Sequence, residues 1–443
     1  MTSPLNALRE FPGNAPYVKN RDVLVVFGEL FSRGYANGIV DEAEKAGIKV
    51  IRSTVGRRDP DGTLRSLNED ELKNQTQPVI NIPLEAGFDL EPSSENGESP
   101  VDQIKNLKIN EWNQAKIDWN KVSQSRHRAT SRFIESTQNF LKELEPHIQQ
   151  GANVIFVHTM AGGVPRAKIL MPTMNKVFKG LGDRYLSSEE FWTSELGRLT
   201  AENFEDVSAS TFRHLIEQST ALRKRLQEQG GKVSYMAFGY HGTEVLMGNQ
   251  YQWQSYAPYL QGWAKLKLEE IAQTASRDGV RATVFNCPEI LTNSSSIFVG
   301  VEVPLYPLME ALRREGAEQA KIRALIEKEM ALLKDDVSID DLLAVTDEAL
   351  SSREIRNQCE FTKWPQHNSK EQMETLIRAS EKLKSMHKDP KNLITFGLSE
   401  AIFRATGYIM FHLSWDLPAP VLWLGHDVLA KTLASSTTNV LAE

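Results

Sequence analysis

The sequence predicts an α/β protein on a doubly wound parallel sheet (Rossmann-type), with helical insertions and a helical C-terminal extension. Three observations carry the prediction. Short apolar runs alternate with amphipathic stretches of helical period from residue 23 to about residue 286, a pattern that gives parallel strands covered by helices on both faces. The first run, VLVVF at 23–27, is apolar throughout, as a strand buried on both faces must be. Glycines stand at the carboxyl ends of the runs, where open sheets of this kind hold their ligands.

Taken in order, VLVVF runs into Gly28, then Gly34, Ala36 and Gly38, and GIVDEAEKAG follows as a helix stopped by Gly47. IKVIRSTV is the second strand and PVINIP, at 78–83, the third. The stretch from Glu85 to Pro100, rich in Glu, Ser, Pro and Gly, reads as a surface loop within an insertion over about 84–125. A long helix is expected from about Trp112 to Gln149, broken near Ser123, and ANVIFVHTMAGG brings the fourth strand. After a mixed segment from Arg166 to Thr200, SASTFRHLIEQSTALRKRLQEQ is a helix ended by Gly230 and Gly231. KVSYMAFGY is the fifth strand, PYLQGWAKLKLEEIAQTASRDG a helix with Pro258 near its first turn, and VRATVFNCP the sixth strand. Residues 1–305 are thus expected to form the core. Residues 306–395 are expected as a charged helical extension, and 396–443, with FRATGYIMFHLSW and PAPVLWLGHDVL, as a segment packing back on the core.

Composition bounds the function. The 443 residues are 40% hydrophobic and 25% charged, enough for one large core or two moderate ones. A formal net charge of −7 argues against a general nucleic-acid surface. Two cysteines, Cys287 and Cys359, are too few for a disulfide framework or a cysteine zinc site and suit a reducing compartment. No apolar run approaches membrane-spanning length and the first residues lack a secretion signal, so the expected location is the cytosol, away from membranes. His158, His241 and His426 stand near strand ends, but none has a second ligand at helical or hairpin spacing, so no metal site is expected.

The turn after the first strand reads as a dinucleotide site. Gly28 lets the chain leave the strand with an unusual φ, and Gly34 and Gly38 let the backbone approach a pyrophosphate at the start of the helix near Tyr35. At the end of the second strand Arg52, Ser53, Arg57 and Arg58 replace the acid expected for a free ribose 2′-hydroxyl, so NADPH is preferred and NADH admitted. Glu29, inside the turn, has no assigned role. The chemical candidates are Tyr240, Tyr256, Tyr259 and Lys265: a phenol can donate to a carbonyl oxygen that gains charge during hydride transfer, and an ammonium lowers the cost of that charge. On spacing alone, half-buried tyrosines and a solvated lysine remain the simpler explanation.

Several of these segments resemble, in order, motifs of the short-chain dehydrogenase/reductase superfamily and, within it, the enoyl-acyl-carrier-protein reductases. GELFSRGYANGI resembles their glycine turn, VHTMAGGVP the strand-four stretch over the nicotinamide, and FGYHGTE their S-Y-x-G-A-E. GWAKLKLEE looks like the G-L-A-K around their lysine, and GVRATVFNCPEILTNS like G-V-R-V-N followed by G-P-I-x-T. The resemblance covers about 21–305. It implies reduction of trans-2-enoyl thioesters, on acyl carrier protein, with a nicotinamide cofactor in fatty acid synthesis, and admits a homo-oligomer.

Carried over, Gly28, Gly34, Ala36 and Gly38 form the pyrophosphate turn, Thr159, Ala161 and Pro288 contact the cofactor, Lys265 binds its ribose, and Tyr240 lines the acyl pocket. The proton donor departs from the family's Y-x6-K: Tyr259 gives Y-x5-K and Tyr256 gives Y-x8-K, the spacing of a longer divergent branch, and Tyr256 is preferred. The ketone-reducing members' serine is replaced by Gly239 or Tyr240, with Thr243 as an alternative hydroxyl, which favours a conjugated thioester over a ketone. A ketone or hydroxysteroid-type oxidoreductase and an inactive nucleotide-binding regulator are the rival readings.

Overall fold

The structure is a computed structural model that describes residues 5–239, 241–255, 259–292, 295, 298–359 and 366–435, with backbone alone for 259–261. The strands among them are β1 (Ala7–Leu8), β2 (Val23–Phe27), β3 (Lys49–Thr54), β4 (Arg57–Arg58), β5 (Leu64–Arg65), β6 (Val79–Pro83), β7 (Val154–His158), β8 (Val233–Gly239), β9 (Thr243–Met247), β10 (Gln250–Gln254), β11 (Ala282–Asn286) and β12 (Val421–Leu424). Eight of them form one sheet in the order β6-β3-β2-β7-β8-β11-β12-β1, every pairing parallel. From β2 the chain steps outward through β3 and β6, then returns to β7 and steps the other way. The reversal leaves a crevice between the carboxyl ends of β2 and β7.

The pleat of β2 divides the interior. Leu24 and Val26 face an apolar cluster completed by the helices Tyr35–Lys45, Pro307–Gly316 and Ile394–Leu413; Val23, Val25 and Phe27 face Phe133 and Phe140, Phe212 and Leu215, and Leu268 from the helices Trp119–Leu144, Thr211–Gln218 and Tyr259–Arg277. A third cluster joins Phe88, Ile104 and Val122 of the insertion to Leu170, Val177 and Phe204 beyond β7.

Local differences from the sequence reading have local causes. The long helix starts at Trp119, where the Asp118 carboxylate accepts from the N–H groups of Asn120 and Lys121; it passes Ser123 unbroken because Val122, Ala129, Phe133 and Phe140 keep an apolar stripe in register. The helical segment after Ser194 contains a π turn at Asp206–Ser210 and breaks at Ser219, whose hydroxyl turns inward to the Leu215 carbonyl and the Tyr235 hydroxyl, each at 2.6 Å. The stretch after Tyr240 is the antiparallel hairpin β9–β10, turning at Gly248 with φ +55°.

The late chain is more deeply integrated than its composition suggested. Leu308, Leu312 and Leu342, from the stretch expected as an extension, share the apolar cluster of Leu24 and Val26. Within PAPVLWLGHDVL, Val421–Leu424 is an inner strand of the sheet, held between β11 and β1. Phe411 and Trp423 are buried in the chain's own core, Phe411 stacking on Tyr17 at 4.1 Å.

Candidate active site

The glycine turn lies at the crevice that the strand order creates. Gly28 ends β2 with φ +119°, and a Cβ there would fall 2.4 Å from the Thr159 hydroxyl and 3.1 Å from the Met160 amide nitrogen. Only glycine lets the two strand ends close in this way. The Ser53 hydroxyl of β3 locks the exit, accepting from the Gly28 N–H and donating to its carbonyl, both at 2.9 Å. Beyond it, Gly34 opens the helix Tyr35–Lys45 with nothing among the described residues within 4 Å of where a side chain would stand, and the N-cap has no side chain to offer. The Asn37 N–H returns to the Gly34 carbonyl at 3.1 Å, and a helix start without a side-chain cap suits a pyrophosphate.

Tyr35 anchors this helix start: its hydroxyl donates to the Pro288 carbonyl and its ring stacks on Phe238 at 5.8 Å. Ala36 packs toward the apolar cluster behind it. Gly38 carries a second constraint. It is buried against the helix Ile394–Leu413, and a Cβ on it would stand 1.9 Å from the Phe403 carbonyl oxygen, so its smallness serves helix contact.

Thr159 donates its N–H to the Phe27 carbonyl at 2.9 Å, and the loop beyond is tied down from the far side of the crevice. The Ser208 hydroxyl, in the π turn, donates to the Gly162 carbonyl, and the Asn203 amide to that of Gly163, both at 2.8 Å. Thr159, Met160, Ala161, Asn203 and Arg166 then line a cavity of about 230 Å³ with Glu29 and Val55, beside the ends of β2, β3 and β7.

The three arginines read as phosphate ligands are all engaged. Arg52 meets Glu44 at 2.9 Å, Arg57 forks onto Glu29 at 2.8 and 2.9 Å, and Arg58 reaches Glu85 at 2.8 and 3.0 Å. The first pair points back to the helix Tyr35–Lys45, whereas the second gives Glu29 its role, fastening the glycine turn to β4. Glu85 also pairs with Arg166, and Glu91 with Arg132 at 3.0 Å, so one charged network joins β4, the insertion and the loop after β7. Bidentate pairs of this kind hold loops in register.

Lys265 is half-buried on the helix Tyr259–Arg277, near enough to His158 at the end of β7 and Cys287 beyond β11 to perturb both. Burial pushes its ammonium down to about 8, and it has no hydrogen bond or ion pair among the described residues. Such a cation is available to a ligand's hydroxyls or to a growing negative charge. His158 itself is a structural strand residue: burial and Lys265 hold it well below its ordinary value, and its Nε2 meets the Thr211 hydroxyl at 2.8 Å.

One turn beyond Lys265, the buried Glu269 receives the Asn286 amide at 2.8 Å and lies 3.1 Å from His241 Nδ1; the His241 N–H in turn donates to Asn286 at 3.1 Å. This triangle binds the ends of β8 and β11 to the lysine helix. Tyr240 and Tyr256 lie outside the described residues; Tyr259 begins the helix, its side chain undescribed. The Thr243 hydroxyl is committed to the Leu424 carbonyl at 2.6 Å, so it does not take the missing serine's place.

Sequence reading missed Asn203, Ser208, Glu269 and Asn286. Each is a polar residue inside an otherwise ordinary helix or strand, and only the tertiary fold reveals what it holds.

Comparison with known proteins follows the same lines. The model of the family described as enoyl-acyl carrier protein reductase FabMG matches residues 4–433. The chain is similar to the apo structure of FabMG, a novel type of enoyl-acyl carrier protein reductase, at 42% identity, with 98% of each chain covered and a TM-score of 0.93. It is also similar to an NADH-bound FabMG structure at 37% identity, covering 98% of this chain and 99% of that one, with a TM-score of 0.78. A search of the curated proteins found no match.

Proposed function

Because the chain belongs to the FabMG family of enoyl-acyl carrier protein reductases, we propose that Tyr256 and Lys265 carry its reaction beside a nicotinamide cofactor held at the β2–β7 crevice. The observation that supports this most is the Lys265 ammonium between the ends of β7 and β11, unpaired among the described residues and on the same rim of the sheet as the helix start at Gly34. When bound, the cofactor supplies the hydride that adds to the β-carbon of a trans-2-enoyl thioester. The Gly28–Gly34 turn and the uncapped helix hold its pyrophosphate, and Thr159 and Ala161 border its path toward Pro288.

Tyr256 precedes the helix that carries Lys265, and its phenol donates a hydrogen bond to the thioester oxygen as that oxygen gains enolate charge. Lys265 lowers the cost of the charge through the phenol and steadies the cofactor ribose. Tyr240 borders the acyl chain. The commitment of Thr243 to Leu424 supports a conjugated thioester over a ketone, because no threonine hydroxyl is offered there for a ketone's second hydrogen bond.

NADH use is supported by the NADH-bound relative, and by carboxylates already seated on Arg52, Arg57 and Arg58; with NADPH, one of these guanidiniums exchanges a carboxylate for the 2′-phosphate. The described residues contain no helix long and apolar enough to cross a membrane, and a cytosolic enzyme of several copies completes the reading. Absorbance at the reduced nicotinamide band, with crotonyl and acetoacetyl thioesters and with each cofactor, is the direct assay. The crotonyl thioester should be turned over in preference, and Tyr256→Phe and Lys265→Ala should each lose about 100-fold or more in kcat while Tyr259→Phe stays near the parent rate. Loss confined to Tyr259→Phe would move the proton donor; cofactor binding without turnover of either thioester would leave the regulator reading in its place.

A further inference from the structure

In a sheet of this kind the ribose 2′-hydroxyl of NAD is received by an acid at the end of the strand that follows the glycine turn. Here that strand, β3, ends in Arg52, Ser53 and Thr54, and Val55 follows. The carboxylate at this place comes instead from the turn itself. Glu29, directly after Gly28, accepts from the Thr54 hydroxyl at 3.4 Å and lines the cavity at the ends of β2, β3 and β7 together with Val55 and Thr159. Its side chain is 11% exposed.

Arg57 holds that carboxylate in place. Its two terminal nitrogens fork onto the two carboxylate oxygens at 2.8 and 2.9 Å, and one of them also donates to the Gly56 carbonyl at 2.7 Å. A carboxylate offers about four acceptor positions, so the fork and the Thr54 hydroxyl leave Glu29 able to take one more hydrogen bond. A ribose hydroxyl can donate it; a phosphate brings acceptors and negative charge and cannot. The other arginines nearby are engaged elsewhere. Arg58 is matched by Glu85 and Arg166 by Asp89. Arg33, in the same turn, is directed to the helix Ile394–Leu413, stacked on Phe396 and donating to its carbonyl at 2.6 Å.

Resting on the cofactor site proposed above, we infer that Glu29 accepts the adenosine ribose 2′-hydroxyl and, with Arg57, sets the preference between the two nicotinamide cofactors, NADH binding the more tightly. NADPH is admitted at the same place when Arg57 leaves Glu29 for the 2′-phosphate, and the carboxylate so released then stands beside a second anion. Selectivity of this kind is a difference between two bound states, one with the fork intact and one with it broken. The pair therefore acts on the choice of cofactor besides fastening the turn to β4.

Equilibrium titration of the full chain with NADH and with NADPH, read by nicotinamide fluorescence beside thermal unfolding, tests the inference with Glu29→Gln, Arg57→Gln and Gly34→Asp. Either substitution in the pair breaks the same contact between turn and β4, so a purely structural role moves both variants alike. A selecting role moves them apart. Glu29→Gln should bind NADH about threefold more weakly and NADPH about tenfold more tightly, because one hydrogen bond loses its charge and a repulsion is removed. Arg57→Gln should keep NADH within about threefold of the parent and weaken NADPH by about tenfold, since the guanidinium that would take the phosphate is gone. An unchanged ratio of the two affinities in both variants overturns the inference, as do parallel losses of both cofactors that track a fall in Tm. Gly34→Asp tests the site beneath it: its carboxylate can cap the helix and so keep the Tm, but faces the pyrophosphate, and both cofactors should weaken by about 100-fold. Undiminished affinity in Gly34→Asp overturns the crevice as the cofactor site, a result separate from the contrast between the other two variants.

Discussion

A half-buried ammonium with no carboxylate beside it among the described residues gives up its proton early, and at Lys265 this sets an expected pH limit on activity. Burial brings the group down to about 8, with the Cys287 thiol pulling weakly the other way. The cationic form, the one the chemistry uses, predominates below that value and is lost above it. In the free enzyme kcat/KM should therefore fall as pH rises through about 8, rather than near the 10.5 of a solvated lysine. Lys265→Arg, whose guanidinium does not titrate in this range, should move the fall upward even at a reduced rate. Rates across pH 6 to 10 for both proteins are the check, and a parent profile flat to pH 10 removes Lys265 from the role. The lysine was legible in the sequence because a short local motif surrounds it. The Glu269–His241–Asn286 triangle was not, because a buried acid looks like any surface acid until the elements around it are assembled.

Elements show a similar division. The five strands β2, β3, β7, β8 and β11 were legible because each is a short apolar run bounded by turn residues, and parallel strands buried on both faces leave that mark. The hairpin β9–β10 was hidden because Thr243–Met247 mixes Glu244 into a buried strand, where it meets Arg9 from the N-terminal edge. The glycine turn was legible as a turn, but the partner of its last glycine was not. Gly38 and Gly407 face each other: a Cβ on Gly407 would fall 2.0 Å from the Gly38 carbonyl carbon, and one on Gly38 would strike the Phe403 carbonyl. The two helices thus touch backbone to backbone, and a methyl group between them must force them apart. Gly38→Ala should cost roughly 1–3 kcal/mol, visible as a lower Tm, while NADH affinity measured well below that transition stays near the parent value. Lost affinity at an unchanged Tm would give Gly38 a part in the pyrophosphate cradle as well.

At the scale of the whole molecule, the chain that looked like a core with an appendage is closed by its own end. β12 supplies the pairing edge that β11 would otherwise leave open, and β1, from the opposite end of the sequence, pairs with β12 in turn. The helix Ile394–Leu413, buried along most of its length, covers the helix Tyr35–Lys45 and so backs the glycine turn itself. Apolar composition announced that this segment is buried, but no local pattern says which strand it joins; that is decided by contacts far apart in sequence, which are also the costliest to form in folding. A chain ended after residue 305 would expose the β11 edge and strip Leu24, Val26 and Ile39 of Leu308, Leu398 and Ile402. Open apolar edges of this kind associate rather than fold. Such a fragment, although it contains every residue assigned to cofactor and chemistry, should show no cooperative thermal transition by circular dichroism and no NADH binding. A fragment that melts cooperatively and binds NADH would instead establish 1–305 as a domain in its own right, with the late helices as a removable addition.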